Sequence, residues 1–308
     1  MRSAPLQISL ALSFSLACAD EPWPRPEPVV VERFTTEFNE WREYRRSRLV
    51  VPGSGPVTWI GLWELGDGSA AFGADSTLPI VLPRSDSPAL AGTLQRSGAE
   101  VRFQPAAGAD VRLPEGATVS APLVLASDRT RSPTVLALGS LRLRIHGEPG
   151  TDRLWLRAWD TEHPDRETFR LPESFAPDTV WRVSARLERF GKPREFRVPD
   201  VTNGEVAYES PGELVFKVGG REHRLAAFGD SASRNFFVIF WDSTARSVTY
   251  QAGRYLSVPA PGPDGWTVID FNRAYNPPCV FSPFSVCALP PRGNYLRLAV
   301  TAGEKRKG

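Results

Sequence analysis

Histidine and cysteine are scarce in this chain, with three of each in 308 residues. The three histidines are His146, His163 and His223, and none neighbours a serine in a Gly-x-Ser-x-Gly elbow, because the chain contains no such elbow. His-Glu-x-x-His, the phosphate-binding loop and Gly-x-Gly-x-x-Gly after a strand are also absent. These absences remove the sequence signatures of α/β-hydrolases, zinc proteases and dinucleotide enzymes, and no cofactor is implied. No Cys-x-x-Cys and no histidine accompany Cys279 and Cys287, so no metal site is expected there. Surplus charge is missing too. The 37 basic and 35 acidic residues leave a formal charge of +2, which offers no electrostatic footprint for nucleic acid. Only four of the basic residues are lysine (Lys192, Lys217, Lys305 and Lys307), so arginine supplies nearly all the positive charge.

Beyond the first residues there is no apolar run of membrane-spanning length. The start itself reads as an export signal: Arg2, then the apolar stretch "LQISLALSFSLA" (6–17), then the small-x-small pattern "ACA". Cys18 opens a second route, the lipoprotein one, in which that cysteine carries the lipid. Ser15 stands where such signals usually have leucine. By either route the body is expected outside the cytoplasm, periplasmic or tethered to a membrane through Cys18. There Cys279 and Cys287 form an even pair, and a bridge between them would stabilise by roughly 2–3 kcal/mol on the chain-entropy estimate. The alternative is two buried free thiols.

What the chain has in quantity is proline, 29 residues, with turn-forming clusters such as "GDGS", "GEPGTD" and "PGPDG". The 41% apolar and 23% charged fractions are those of a folded globular protein. "EPWPRPEPVVV" (21–31) reads as a polyproline-like spacer. One amphipathic helix is expected over 32–49, its stripe made by Phe34, Phe38, Trp41 and Leu49. Past residue 50 the period becomes two, as in "LRLRIH" (141–146) and "WRVSARLE" (181–188). "FFVIF" (236–240) has no polar member and reads as a central strand covered on both faces. The expected fold is all-β, mainly antiparallel: two sandwich-like or barrel-like units behind one helix. The organisation read from this is a leader (1–19), a linker (20–31), a helix (32–49), a first β unit (50–170) and a second (171–308).

"IFWDSTARSVTYQAGRYL" (239–256), "VIDFNRAYNPPCVFSPFSVCALPP" (268–291) and "NYLRLAVTAGEK" (294–305) resemble the bacterial domain-of-unknown-function 1684 family. So does "WIGLWELGDGSAAFGAD" near residue 60. That resemblance implies no activity, since none is established for the family. "FGADSTLPIVLP" is similar to forkhead-associated sandwiches, but Ala74 stands where their phosphate-binding arginine would be, so only a scaffold is implied.

"DFNRAYNPPC" is the strongest candidate for a site. Asp242, Tyr250, Arg254, Tyr255, Asp270, Asn272, Arg273, Tyr275 and Asn276 all fall near expected strand ends of the second unit. If "TVIDF" continues as a strand, Asp270 and Asn272 share a polar face and Arg254 shares one with Tyr250. In a functional reading, arginines fork an anionic ligand, tyrosine rings stack on it, and Asp270 is the candidate catalytic acid or base. In a structural reading, Asp270–Arg254 and Asp242–Arg273 are internal ion pairs and the asparagines hold irregular backbone. "WDTEHPDRE" (159–167) gathers metal-type ligands, but a solvated loop is the plainer reading. Three readings of function follow as expectations. One is a binding module for a small anionic or aromatic ligand or an envelope component. The second is an acid/base hydrolase using Asp270 with Arg254 and Arg273. A purely structural envelope protein is the third.

Overall fold

A computed structural model describes residues 23–24, 26–83, 87–230 and 232–307. The leader and Cys18 lie outside the described residues, so export and lipidation have no structural counterpart here.

Helix α1 spans Val31–Leu49, with Phe34, Phe38 and Leu49 buried, Glu32, Arg33, Glu40 and Glu43 exposed, and Arg42 and Arg45 turned toward the strands. The stripe expected from spacing is therefore the docking face. Glu43 and Arg46 pair at 3.1 Å across one turn. Ahead of the helix, Trp23 is not free: its Nε1 donates to Ser184 O at 3.1 Å, and its ring meets Trp266 edge-on at 4.9 Å.

Nine strands follow: β1 (Trp59–Glu64), β2 (Gly68–Gly73), β3 (Ile80–Val81), β4 (Gly92–Ser97), β5 (Glu100–Pro105), β6 (Leu123–Val124), β7 (Val135–Leu138), β8 (Leu141–Gly147) and β9 (Leu154–Asp160). They form a sheet of order β1-β9-β8-β7 and another of order β3-β2-β4-β5-β6. All their pairings are antiparallel except β2 with β3. One apolar cluster joins the two sheets, with Phe72, Leu94 and Phe103 from one meeting Leu143, Ile145 and Leu156 from the other. In β8 the apolar members point into that cluster and Arg142, Arg144 and His146 point away, as period two requires.

The remaining strands are β10 (Arg182–Pro199), β11 (Glu205–Val218), β12 (Arg221–Ala227), β13 (Asn235–Asp242), β14 (Arg254–Pro259), β15 (Trp266–Asp270) and β16 (Tyr295–Leu296). They give sheets of order β12-β11-β10-β15 and β14-β13-β16. Within β13, Phe236, Val238 and Phe240 enter one apolar cluster and Ile239 a second. The strand is thus covered on both faces, as its all-apolar run implied. Among the described residues the fold is mainly antiparallel β with one long helix, matching the expectation from sequence.

Candidate functional site

The "DFNRAYNPPC" segment departs from a continued strand. β15 stops at Asp270, and a 3-10 turn, Phe271–Arg273, follows. The Asp270 side chain makes the stop: its Oδ1 accepts from Asn272 N at 3.1 Å and Asn272 Nδ2 at 2.9 Å. Asn272 therefore does not share a wet face with Asp270; it is 1% exposed. Its amide clips the chain at Asp178, with Oδ1 accepting from Asp178 N and Nδ2 donating to Asp178 O, both at 2.9 Å.

Asn276 and Asn294 do similar work. Asn276 N donates to Glu304 Oε2 and Asn276 Nδ2 to Lys305 O, each at 2.8 Å. Asn294 Nδ2 donates to Ile239 O at 2.8 Å, and its Oδ1 accepts from Ala226 N at 2.7 Å. Tyr255 and Tyr275 exchange backbone hydrogen bonds at 2.8 and 2.9 Å, and Tyr255 OH donates to Ala288 O at 2.8 Å. These residues supply partners to irregular buried backbone. Tyr255, Asn272 and Asn276 are thus part of the frame.

The expected ion pairs are exchanged. Arg254 pairs with Asp242, not with Asp270, and Arg273 pairs with Asp270, not with Asp242. The register decides this. β13 and β14 are antiparallel with Phe240 opposite Arg254, which brings Arg254 beside Asp242. β14 also begins only at Arg254, because Gly253 turns the chain with φ +95°, so Tyr250 does not share its face. The Arg254 guanidinium also donates to Ala302 O and, at 3.1 Å, to Val300 O. Burial pushes its pKa down from the ordinary value, against the attraction of Asp242. Nothing in this arrangement lets Arg254 reach a ligand.

Asp270, Arg273 and Tyr275 do open onto a cleft, of about 510 Å³, between α1 and the second set of strands. Phe34, Trp41 and Tyr44 form its helical wall; Asn235, Ser257 and Arg182 face them. Asp270 Oδ2 lies 3.7 Å from Arg273 Nε and 4.0 Å from Arg182 Nε. Those separations are ion pairs but too long for hydrogen bonds. Glu37 also lines the cleft, and its carboxylate is bound to Arg33 at 2.8 Å. That hydrogen bond holds Glu37 below the usual carboxylate range, with Arg273 and Arg182 adding to the effect. Burial pushes the Tyr275 phenol upward.

Arg45 fixes the helix over this cleft. Its guanidinium engages both oxygens of Glu304, which is 1% exposed, donates to Asn276 O at 2.9 Å, and lies 4.5 Å from the Tyr275 ring centre. Arg42 adds bonds to Ser174 Oγ and Pro172 O. Arg45, Arg182 and Glu304 escaped sequence reasoning, because the partners of Arg45 are more than two hundred residues away and no local pattern marks them.

Tyr250 stands on a different cleft, of about 650 Å³, shared with Cys279. The bridge expected between Cys279 and Cys287 is not formed; both are free thiols. Backbone hydrogen bonding accounts for the loop's shape without it. Val280, Phe281 and Ser282 turn on Pro277 O and Pro278 O, and the Cys287 carbonyl accepts from Val201 N. Among the described residues no cluster of His, Cys, Asp or Glu could hold a metal ion. In the acidic loop, Asp160 accepts from Ser140 Oγ at 2.7 Å and from Glu162 N at 2.9 Å.

Comparison with known proteins adds the following. The family described as "Protein of unknown function (DUF1684)" matches residues 167–305. No curated protein matches. Among solved structures, an uncharacterized protein of Haloarcula marismortui, determined by solution NMR, is similar at 34% identity. The similarity covers 46% of this chain and 80% of that one, with a TM-score of 0.39.

Proposed function

We propose that this chain, which belongs to the DUF1684 family, is a binding module for a small anionic ligand with an aromatic or apolar part. Its site is the cleft beneath α1. The supporting observation is the geometry around Asp270. Two guanidiniums, Arg182 and Arg273, flank one carboxylate at ion-pair distances too long for hydrogen bonds, and Arg182 also donates weakly, at 3.5 Å, to Glu27 O through Nη1. A carboxylate or phosphate group entering between them would be forked by both, while Phe34, Trp41 and Tyr275 take the apolar part. The hydrolase reading is weaker. Asp270 Oδ1 is committed to the Asn272 turn, and Arg254 is sealed against Asp242.

The test is a thermal-shift and calorimetric panel of small aromatic carboxylates and phosphates against the full chain. At least one should raise the melting temperature, and the double variant Arg182→Met, Arg273→Met should lose that rise while keeping the unliganded melting temperature. If no anion stabilises the protein, or if the double variant responds like the parent, the proposal fails. Export, with either a cleaved leader or a lipid on Cys18, is proposed on the leader pattern alone. The mass of the mature N-terminus in its native host decides it.

A further inference from the structure

Cys279 and Cys287 sit in unequal surroundings. Cys279 is half-buried on the wall of the larger cleft; Cys287 lies behind it and is 2% exposed. Cys287 Sγ accepts the Cys279 backbone N–H at 3.1 Å, which brings its sulfur against the other cysteine. Tyr250 OH lies 3.6 Å from Cys279 Sγ. The hydrogen bond from the Cys287 thiol, helped by Tyr250, brings Cys279 down to about 7 against the effect of burial. The same contact, together with burial, pushes Cys287 strongly upward. The sulfur on the cleft wall is thus the more readily ionised of the two, and the sulfur behind it keeps its proton more tightly.

The cleft that Cys279 faces has one sign of charge. Among the described residues Arg246, Arg306 and Lys307 line it and no carboxylate does, and Trp241 gives it an aromatic side. Arg246 lies over the Trp241 ring at 5.8 Å. Such a rim raises the local concentration of small anions.

We propose that Cys279 and Cys287 are a dithiol pair that exchanges with a small carboxylate-bearing disulfide held in this cleft. The Cys279 thiolate attacks one sulfur of the disulfide R–S–S–R. A Cys279–S–S–R bond forms, the S–S bond of the reagent breaks, and R–S⁻ leaves. Cys287 then gives its proton to the departed R–S⁻ and attacks Cys279 Sγ, forming the Cys279–Cys287 bond and expelling the second R–S⁻. Two protein thiols are oxidised and one disulfide is reduced to two thiols. The cations hold the carboxylates of the reagent, and Cys287 is the resolving residue. This site is separate from the cleft beneath α1 and does not depend on that reading.

The experiment uses the reduced full chain and glutathione disulfide, with the neutral 2-hydroxyethyl disulfide as comparator. Wild type should lose the Cys279 and Cys287 thiols together and release two equivalents of glutathione for that pair, read by peptide mapping that scores Cys18 separately. Cys287→Ser should stop at one glutathionyl adduct on Cys279. The double variant Arg246→Ala, Lys307→Ala should react about tenfold more slowly with glutathione disulfide and unchanged with the neutral reagent. Three results would overturn the proposal: a stable adduct on Cys279 or Cys287 in wild type, equal charge sensitivity for both reagents, or reactivity of Cys279 no greater in the folded chain than in denaturant. A pair already bridged in purified protein and resistant to reducing agent until unfolding would overturn it as well. Wild-type stoichiometry is read without any substitution, so a variant that fails to fold leaves the proposal testable.

Discussion

Arg254 Nη2 donates to Asp242 Oδ1 at 3.0 Å in a part of the interior where both side chains are at most 2% exposed. The other Asp242 oxygen accepts from Thr244 N at 3.2 Å, from Thr244 Oγ1 at 2.6 Å and from Val300 N at 2.9 Å. Both partners thus organise the end of β13 and the C-terminal segment after β16. Among the described residues Arg254 Nε has no hydrogen-bond partner, so within them the network is not fully satisfied.

Breaking that pair by one side should be severe. Asp242→Leu or Arg254→Met alone leaves an uncompensated buried charge, and each should cost about 3–5 kcal/mol in urea denaturation. The double variant should cost clearly less than the sum of the singles. Additive losses would show that the two side chains do not depend on each other.

Glu304 and Arg45 hold α1 in place, so Glu304→Gln should loosen the helix before it unfolds the sheets. A loss on the order of 3 kcal/mol is expected where one partner of a buried pair is removed. The measurement is limited trypsin digestion, because α1 contains Arg42, Arg45, Arg46 and Arg48. Cleavage within α1 should accelerate, while fragments from the β strands should emerge no faster.

His146 predicts a pH dependence. Its Nδ1 is 2.7 Å from Asp128 and its Nε2 2.9 Å from Glu148, so both ring nitrogens face carboxylate oxygens. A neutral ring can donate to only one of them. Burial, the largest influence, would lower the pKa; hydrogen bonds to Asp128 and Glu148 outweigh it and raise the pKa above 6.5. Arg144 Nε, 3.4 Å from Asp128 in an ion pair without a hydrogen bond, and the nearby Arg157 complete the charged surroundings. A raised folded pKa contributes stability that is full below the unfolded value and is lost as pH rises through the folded value. Unfolding midpoints should therefore fall with rising pH above about 6.5, the unfolded histidine value. His146→Gln should flatten that slope. Asp128, held below 3.8, acts at the opposite end, its contribution disappearing as pH falls through its folded pKa.

Gly253 should tolerate no side chain. Its φ is +95°, and a Cβ would lie 2.6 Å from Phe240 O and 2.6 Å from Pro290 Cγ. Gly253→Ala should cost about 1–3 kcal/mol from backbone conformation, with the clash added to that. The readout is the midpoint of chemical denaturation. A neutral result would mean that the turn into β14 can re-form with a different backbone.

Local pattern carried much of the architecture. Alternation in "LRLRIH" placed Leu141, Leu143 and Ile145 inward, and the unbroken apolar run "FFVIF" announced a strand with a core on each side. The aromatic stripe of α1 named its own docking face. The "DFNR" stretch was harder to read, because its strand is ended by a side chain turning back on its own backbone, an event that periodicity does not encode.

Composition and period thus determined the fold class, the helix, the buried positions of the strands and the region rich in polar residues of the second set of strands. Only the tertiary structure decided which arginine meets which carboxylate, that Cys279 and Cys287 are neighbours without a bond, that Arg182 belongs beside Asp270, and that Arg45 belongs beside Glu304 and Tyr275. The physical reason is one of range. Side-chain alternation is set by neighbours within a few residues, whereas ion pairs and thiol contacts depend on strand register and on helix docking between residues far apart in the chain.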